Sequence, residues 1–393
     1  MSDSDVIIIG AGAAGLMCAA AAARRGRAVR VLEQAAKPGI KVRMSGGGRC
    51  NFTNYDVGPE HYLSRNRHFV KSALSRFTQW DFLALVERYR IPWHEREHGR
   101  LFCNGNSKAI LDLLLAECRD AGAIVQLQAA VDKVARADGG GFVVHGPSSV
   151  HRCASLVVAT GGLSIPKMGA GPFGYRIAEQ FGMRTWPPSP GLVPLTLHPQ
   201  DRERLAPLAG IAVPAVVETG DGAFHDHVLF THRGLSGPAI LQASNYWEPG
   251  AVVTVDWLPG ESGARLIEQG RRTHPNRQLK TVLGHRLPAR LVAALLPPPV
   301  LETPLAQLSN AQLETVSGQL HQWRIVPGGT EGYRTAEVTR GGVDCDAVSS
   351  QTLESRSVPG LYFIGEVLDV TGWLGGYNLQ WAWSSGWCAG QYV

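Results

Sequence analysis

Five features follow one another in a fixed order between residues 6 and 33. Val6 to Ile9 is a short β-branched run, and Gly10-Ala11-Gly12-Ala13-Ala14-Gly15 comes directly after it. Leu16 to Arg25 is alanine-rich and strongly helix-prone, and Gly26 stands where a helix ends. Ala28 to Leu32 is a second apolar run, closed by Glu33. Strand, G-x-G-x-x-G turn, helix, strand and acid are the parts of a dinucleotide-binding βαβ unit. Gly10 permits the tight turn, Gly12 lets the backbone approach a diphosphate, and Gly15 brings helix and strand close together. The N–H groups of Ala13, Ala14 and Gly15 at the helix start then face the phosphates. Glu33, with Gln34 beside it, stands where a ribose hydroxyl would be bound. An acid there disfavours a 2′-phosphate, but the turn alone leaves FAD and NAD open.

A chain of 393 residues exceeds one ordinary core, so two or three lobes are expected. Later segments return to short apolar runs punctuated by glycine. One, Leu156 to Ala159, ends in Thr160-Gly161-Gly162, and another, Leu361 to Ile364, ends in Gly365-Glu366. Residues 68–90 and 107–121 read as amphipathic helices. Composition shifts at Pro187-Pro188-Ser189-Pro190, after which residues 191–257 alternate as short strands and 261–322 read mostly as helix. The pattern describes an α/β nucleotide domain over 1–188 and 336–393. It is interrupted by a β lobe over 189–260 and 322–335 and a helical lobe over 261–321.

The formal charge is +5, with no run of five or six Lys/Arg, so no nucleic acid and no membrane surface is expected as a partner. Seven cysteines without a CxxC argue against a disulfide framework and against zinc, and no metal is expected. No stretch of 18 apolar residues and no basic leader followed by an apolar core are seen. A cytoplasmic setting is the expectation.

Four blocks carry a family resemblance: Gly39 to Asn54 (GIKVRMSGGGRCNFTN), Leu229 to Pro238 (LFTHRGLSGP), Ala336 to Val343 (AEVTRGGV), and Gly360 to Asp369 running on to Gly375-Gly376-Tyr377-Asn378-Leu379-Gln380. Together they resemble the bacterial YhiN/BaiN-like flavoproteins, which are related to the aminoacetone oxidase family. The resemblance spans almost the whole chain. It implies FAD, a discontinuous Rossmann-like domain of the glutathione-reductase type, an inserted β-barrel-like lobe and a small helical lobe. One departure is Phe173 in Gly171-Pro172-Phe173-Gly174-Tyr175, where the family commonly carries an acid.

On that resemblance the loop bearing Lys41, Ser45, Gly46, Gly47, Gly48, Arg49, Cys50 and Asn51 runs along the FAD. The alternative is a solvated surface loop. Thr160 and Gly161 contact the cofactor. Glu366, after Gly365 at a strand end, is well placed for ribityl or ribose hydroxyls, with a surface carboxylate as the alternative, and Asp369 could equally order the following loop. Val131 is placed against the adenine, an ordinary core residue being the alternative. Gly376, Tyr377, Asn378 and Leu379 open a helix whose N-terminus would stabilise negative charge on a reduced flavin. Cys50 reads as a small loop residue, since it lacks a resolving partner. Trp381, Trp383 and Trp387 read as core. His232 reads as a structural hydrogen-bonding residue, with an acid/base role as the alternative.

The reading that follows is an FAD-dependent oxidoreductase passing hydride between flavin and a small organic substrate bound between the FAD domain and the inserted lobe, with NAD(P)H as a transient reductant. The catalytic acid or base is unknown. The alternatives are an FAD-dependent tRNA-modifying enzyme and a flavin-binding protein without turnover.

Overall fold

Val6, Ile7, Ile8 and Ile9 are buried, as a strand covered on both faces must be. In the computed structural model, which describes residues 2–393, they belong to β1 (Ser2–Ile9), inside a seven-stranded sheet. β1 pairs in parallel with β2 (Val29–Leu32) and with the Val150–Val158 strand, so Ile9 stands in register with Leu32 and Val158. Ile124–Gln126 continues the sheet beyond β2. The Val150–Val158 strand has two successive partners on its other side. Antiparallel Phe142–His145 takes its first half and parallel Leu361–Phe363 its second. Antiparallel Lys133–Arg136 follows Phe142–His145.

The chain forms two compact units, residues 1–190 with 337–393, and residues 191–336. In the first, α1 (Ala13–Arg24) is buried from Ala14 to Ala23. Its small side chains admit a second helix, Tyr377–Gly390. A Cβ on Gly386 would lie 2.4 Å from the Ala14 carbonyl oxygen, and one on Gly390 would lie 2.5 Å from the Ala21 Cβ. Contact therefore advances along both helices in the same direction, and the two run parallel. Trp383 fills the space beyond, stacked on Phe82 at 4.4 Å, with its Nε1 donating to the Phe52 carbonyl at 2.8 Å.

The segment expected as one helix over 68–90 is two, Val70–Arg76 and Gln79–Arg88. Thr78 divides them. Its hydroxyl caps the second helix by accepting from the Asp81 N–H, and the Asp81 carboxylate accepts from the Thr78 N–H at 2.7 Å. The Lys108–Asp120 helix brings Glu117 under this pair. The Glu117 side chain is 5% exposed and is held by Arg24, by Arg88 at 2.7 Å and by the Tyr89 hydroxyl at 2.6 Å. Glu117→Ala is expected to cost about 1–2 kcal/mol, less than a fully buried pair because both arginines stay half in water. Urea unfolding checks this as a lower midpoint at unchanged m.

The second unit is built on a seven-stranded sheet whose pairings are all antiparallel, with the Ala212–Thr219 and Gly222–Phe230 hairpin at its centre. Five α-helices between Gly263 and His321 follow in sequence before the Trp323–Ile325 strand returns to it. Among the described residues no helix is long and apolar enough to cross a membrane.

Candidate cofactor and active site

The turn after β1 is built as its spacing requires. A Cβ on Gly10 would lie 2.5 Å from the Ala159 carbonyl oxygen, and one on Gly15 would lie 2.0 Å from the Gly10 oxygen. A Cβ on Gly12 would meet nothing within 4 Å. Gly10 and Gly15 are thus required by the protein itself, whereas Gly12 faces open space at the start of α1. There the first N–H groups have no partner inside the helix. The Glu33 carboxylate accepts from the Ala11 N–H at 2.9 Å and the Ala35 N–H at 2.8 Å, which ties the turn to the end of β2. Each carboxylate oxygen keeps a further lone pair for a hydroxyl. The Ala129 N–H donates to the Glu33 carbonyl at 2.8 Å, which brings Val131 within two residues of that strand end. Gln34 instead holds the Gly169 carbonyl at 2.7 Å.

The parallel helices set a second point. Gly376 precedes Gly386 by ten residues, so the 377–390 helix begins about 15 Å ahead of the start of α1, at a rise of 1.5 Å per residue. Two helix N-termini, both pointing the same way at that separation, suit a long anion with charge at two places. The glycine pair at the second start is held from behind. The Asn54 amide donates to the Gly375 carbonyl at 3.0 Å, and the Asn51 amide oxygen accepts from the Gly376 N–H at 3.1 Å. A Cβ on Gly376 would lie 2.4 Å from the Thr53 oxygen. Tyr377 is buried against His61 at 4.7 Å. The Asn378 side chain bonds both main-chain groups of Gly372, at 2.8 and 2.9 Å. Leu379 is partly buried. Of these last three residues the main-chain N–H groups are what the helix start can present to a ligand.

The basic loop divides into a buried and an exposed part. α2 (Ile40–Met44) is followed by Gly46, Gly47 and Gly48, all at positive φ. The Arg49 side chain is exposed, and the Ser45 hydroxyl bonds the Val42 carbonyl at 2.7 Å. Cys50 is fully buried beneath the loop, and burial pushes its thiol up to about 12. Its side chain therefore packs and does not react.

Lys41 turns inward. Its Nζ lies 2.6 Å from both the Ser164 hydroxyl and the Glu366 carboxylate. Glu366 also accepts from the Thr339 N–H at 2.9 Å, and the Thr339 hydroxyl accepts from the Leu163 N–H at 2.7 Å. Gly161 is open on its Cβ side, and the Thr160 hydroxyl is buried without a partner. Gly365 is fixed through its N–H to Ser385 at 3.1 Å and through its carbonyl to the Trp381 indole at 3.1 Å. Sequence reasoning missed Ser164, Thr339, Glu337 and Arg100. Glu337 and Thr339 lie in the Ala336–Val343 block but drew no role there, and Arg100 carries no local signal.

Other expectations resolve simply. Trp381 and Trp383 are core, and Asp369 bonds the Arg65 N–H at 3.0 Å. His232 is exposed, and the turn that carries it is held by the Thr231 hydroxyl, which accepts from the Gly234 N–H at 3.1 Å.

These features fit a flavin dinucleotide on three counts. They are a glycine turn open at Gly12, an unpartnered Thr160 hydroxyl at a strand end, and a second helix start about 15 Å from the first.

Comparison with known proteins bears on what the site serves. The chain matches the family described as HI0933-like protein Rossmann domain over residues 4–392. It is 52% identical to a ribosomal RNA dihydrouridine synthase of Escherichia coli K12, covering 100% of this chain and 98% of that protein. A protein of the same name from Haemophilus influenzae is 50% identical over 97% of this chain and 96% of its own length. A 3-dehydro-bile acid Δ4,6-reductase of Clostridium scindens is 31% identical over 98% and 97%. The expectation that no nucleic acid is involved does not stand, because the two relatives at 50% identity and above are named for an RNA substrate. That expectation searched for cations contiguous in sequence. A fold gathers them from separate segments, as it does with Lys41 and Arg100 around Glu337. The chain belongs to the HI0933-like Rossmann-domain family and is a flavin-dependent oxidoreductase with FAD as its cofactor.

Proposed function

We propose that the chain reduces the C5–C6 double bond of a uridine in ribosomal RNA. The observation that carries this reading is the end-to-end identity of 52% with the E. coli ribosomal RNA dihydrouridine synthase. The geometry supports it. In this reading the diphosphate of FAD is held by Gly10, Gly12, Ala13, Ala14 and Gly15, and its ribose by Glu33. Lys41, Gly161, Glu366 and the N–H groups of residues 377–379 surround the ring system. FAD supplies hydride chemistry when bound. The protein supplies position and electrostatics, through two helix starts and a Lys41–Glu366 pair locked by Ser164 and Thr339. The bile acid relative is also named for reduction of a ring double bond, so one chemistry covers both names.

The test is direct. FAD-loaded protein is reduced anaerobically with NADH or NADPH and mixed with ribosomal RNA, transfer RNA or a 3-oxo-4,6-diene bile acid. Nucleoside mass spectrometry should show dihydrouridine formed in ribosomal RNA alone. Binding to that RNA should weaken steeply with salt, by about 10³-fold between 50 and 200 mM if six or more phosphates are contacted. Reduction of the bile acid with no change in any RNA would overturn the reading.

A further inference from the structure

We propose that Glu337 is the acid that delivers a proton to the uracil ring, to C5, as hydride reaches C6. This rests on the reading of the chain as an RNA uridine reductase.

The main chain at Glu337 is fixed by the network just described. Its carbonyl accepts from the Ser164 hydroxyl at 3.2 Å, and Ser164 in turn accepts from Lys41 Nζ at 2.6 Å. Two residues on, the Thr339 N–H donates to Glu366. Glu337 therefore enters the Val338–Val343 strand at the point where α2, the Thr160–Ser164 strand end and the Gly365–Glu366 turn meet. Its side chain is exposed, although protein surrounds it on most sides. The charged groups that face it are Lys41 from α2 and Arg100 from the Arg100–Cys103 strand. Arg100 lies against the glycine pair that opens the 377–390 helix, since a Cβ on Gly375 would be 3.3 Å from its Nε. Glu337 thus shares its surroundings with both ends of the candidate ring site.

The other proton carriers nearby are committed. Glu366 is ion-paired to Lys41 and takes the Thr339 N–H. Tyr377 is buried, and burial pushes its phenol up to about 12. All seven cysteines are buried. Glu337 differs in being reachable. Burial raises its carboxyl above the ordinary range, although Lys41 and Arg100 pull the other way.

The chemistry balances. The C5–C6 double bond of uracil is conjugated with the C4 carbonyl, so C6 is the electrophilic carbon and charge develops across C5 and the C4 oxygen. One hydride, drawn from reduced flavin, forms the C6–H bond and supplies both electrons. One proton, from the Glu337 carboxyl, forms the C5–H bond. Glu337 is left as a carboxylate beside Lys41 and Arg100 and recovers its proton from water.

The variants are Glu337→Gln and Glu337→Asp, in full-length FAD-loaded protein under single-turnover conditions with ribosomal RNA. In the parent, the rate should fall as pH rises through the range where Glu337 ionises. Glu337→Gln should slow dihydrouridine formation by about 100-fold or more and abolish that limb, while Glu337→Asp recovers part of the rate. Glu337→Gln should keep its flavin absorbance and bleach with reductant as the parent does. Infrared titration, read without turnover, should show a carboxylic acid band that ionises late in the parent and is missing in Glu337→Gln. A Glu337→Gln protein within about threefold of the parent, with the same pH limb, overturns the proposal. So does loss of flavin from Glu337→Gln, which would make the residue structural. If the parent itself reduces no uridine in RNA, the preceding reading fails and this one falls with it.

Discussion

A Gly12→Val protein is expected to fold as the parent does and to purify without flavin. Two observations separate the outcomes. Gly12 has ordinary extended backbone (φ −86°, ψ −169°), and a Cβ there meets nothing within 4 Å. The isopropyl group therefore costs the apoprotein little. It does fill the space through which a diphosphate must reach the N–H groups at the start of α1. Losing two charge-assisted hydrogen bonds removes about 1.5–3 kcal/mol each. That is roughly a 10²- to 10⁴-fold weaker hold on FAD. Far-UV circular dichroism should match the parent, while flavin absorbance after reconstitution and desalting should be lost. Gly15→Val is the contrasting control, because its Cβ would lie 2.0 Å from the Gly10 oxygen and the turn itself cannot form. A yellow Gly12→Val protein would count against the assigned turn.

Gly386→Leu is expected to lower stability sharply. The glycine lies where the 377–390 helix crosses α1, with its Cβ direction 2.4 Å from the Ala14 carbonyl. Backbone cannot yield there as a flexible side chain would. Ala14 belongs to the turn assigned to the diphosphate, and one helical turn later a Cβ on Gly390 would lie 2.5 Å from the Ala21 Cβ. Overpacking a well-filled core costs about 1–3 kcal/mol and more where the obstacle is main chain. At about 2–4 °C per kcal/mol for a unit of this size, melting should fall by at least 6 °C. FAD binding should weaken in parallel, since the two helix starts lose their fixed separation. Calorimetry and flavin titration check both. A melting temperature within 2 °C of the parent would show the helix–helix contact to be loose.

The legible parts of the site were those encoded locally. Gly10, Gly12, Gly15 and Glu33 lie within 24 residues, and each has a fixed task in one turn. Glu33 shows the limit even there. The spacing places its carboxylate, but not the Ala11 and Ala35 N–H groups that it holds. The Lys41–Glu366 pair spans 325 residues, and Ser164 and Thr339 join it from two further segments. Nothing in the neighbourhood of any of the four announces the other three. Thr78 broke an expected helix because a capping box outweighs an unbroken amphipathic pattern. The expectation of no nucleic-acid partner failed for a related reason, since recognition of RNA needs cations close in space and charge runs measure only closeness along the chain.

The partner of the first helix has a consequence for synthesis. Arg25, just past α1, donates to the Gly390 carbonyl at 3.0 Å across a separation of 365 residues. The apolar side of α1 therefore stays uncovered on the ribosome until nearly all of that separation has been translated. Contacts of such long sequence separation form late. The nucleotide fold can then close only after translation has passed residue 390, and until that moment the nascent chain carries an exposed alanine-lined groove. Cofactor loading must then follow the synthesis of residue 390.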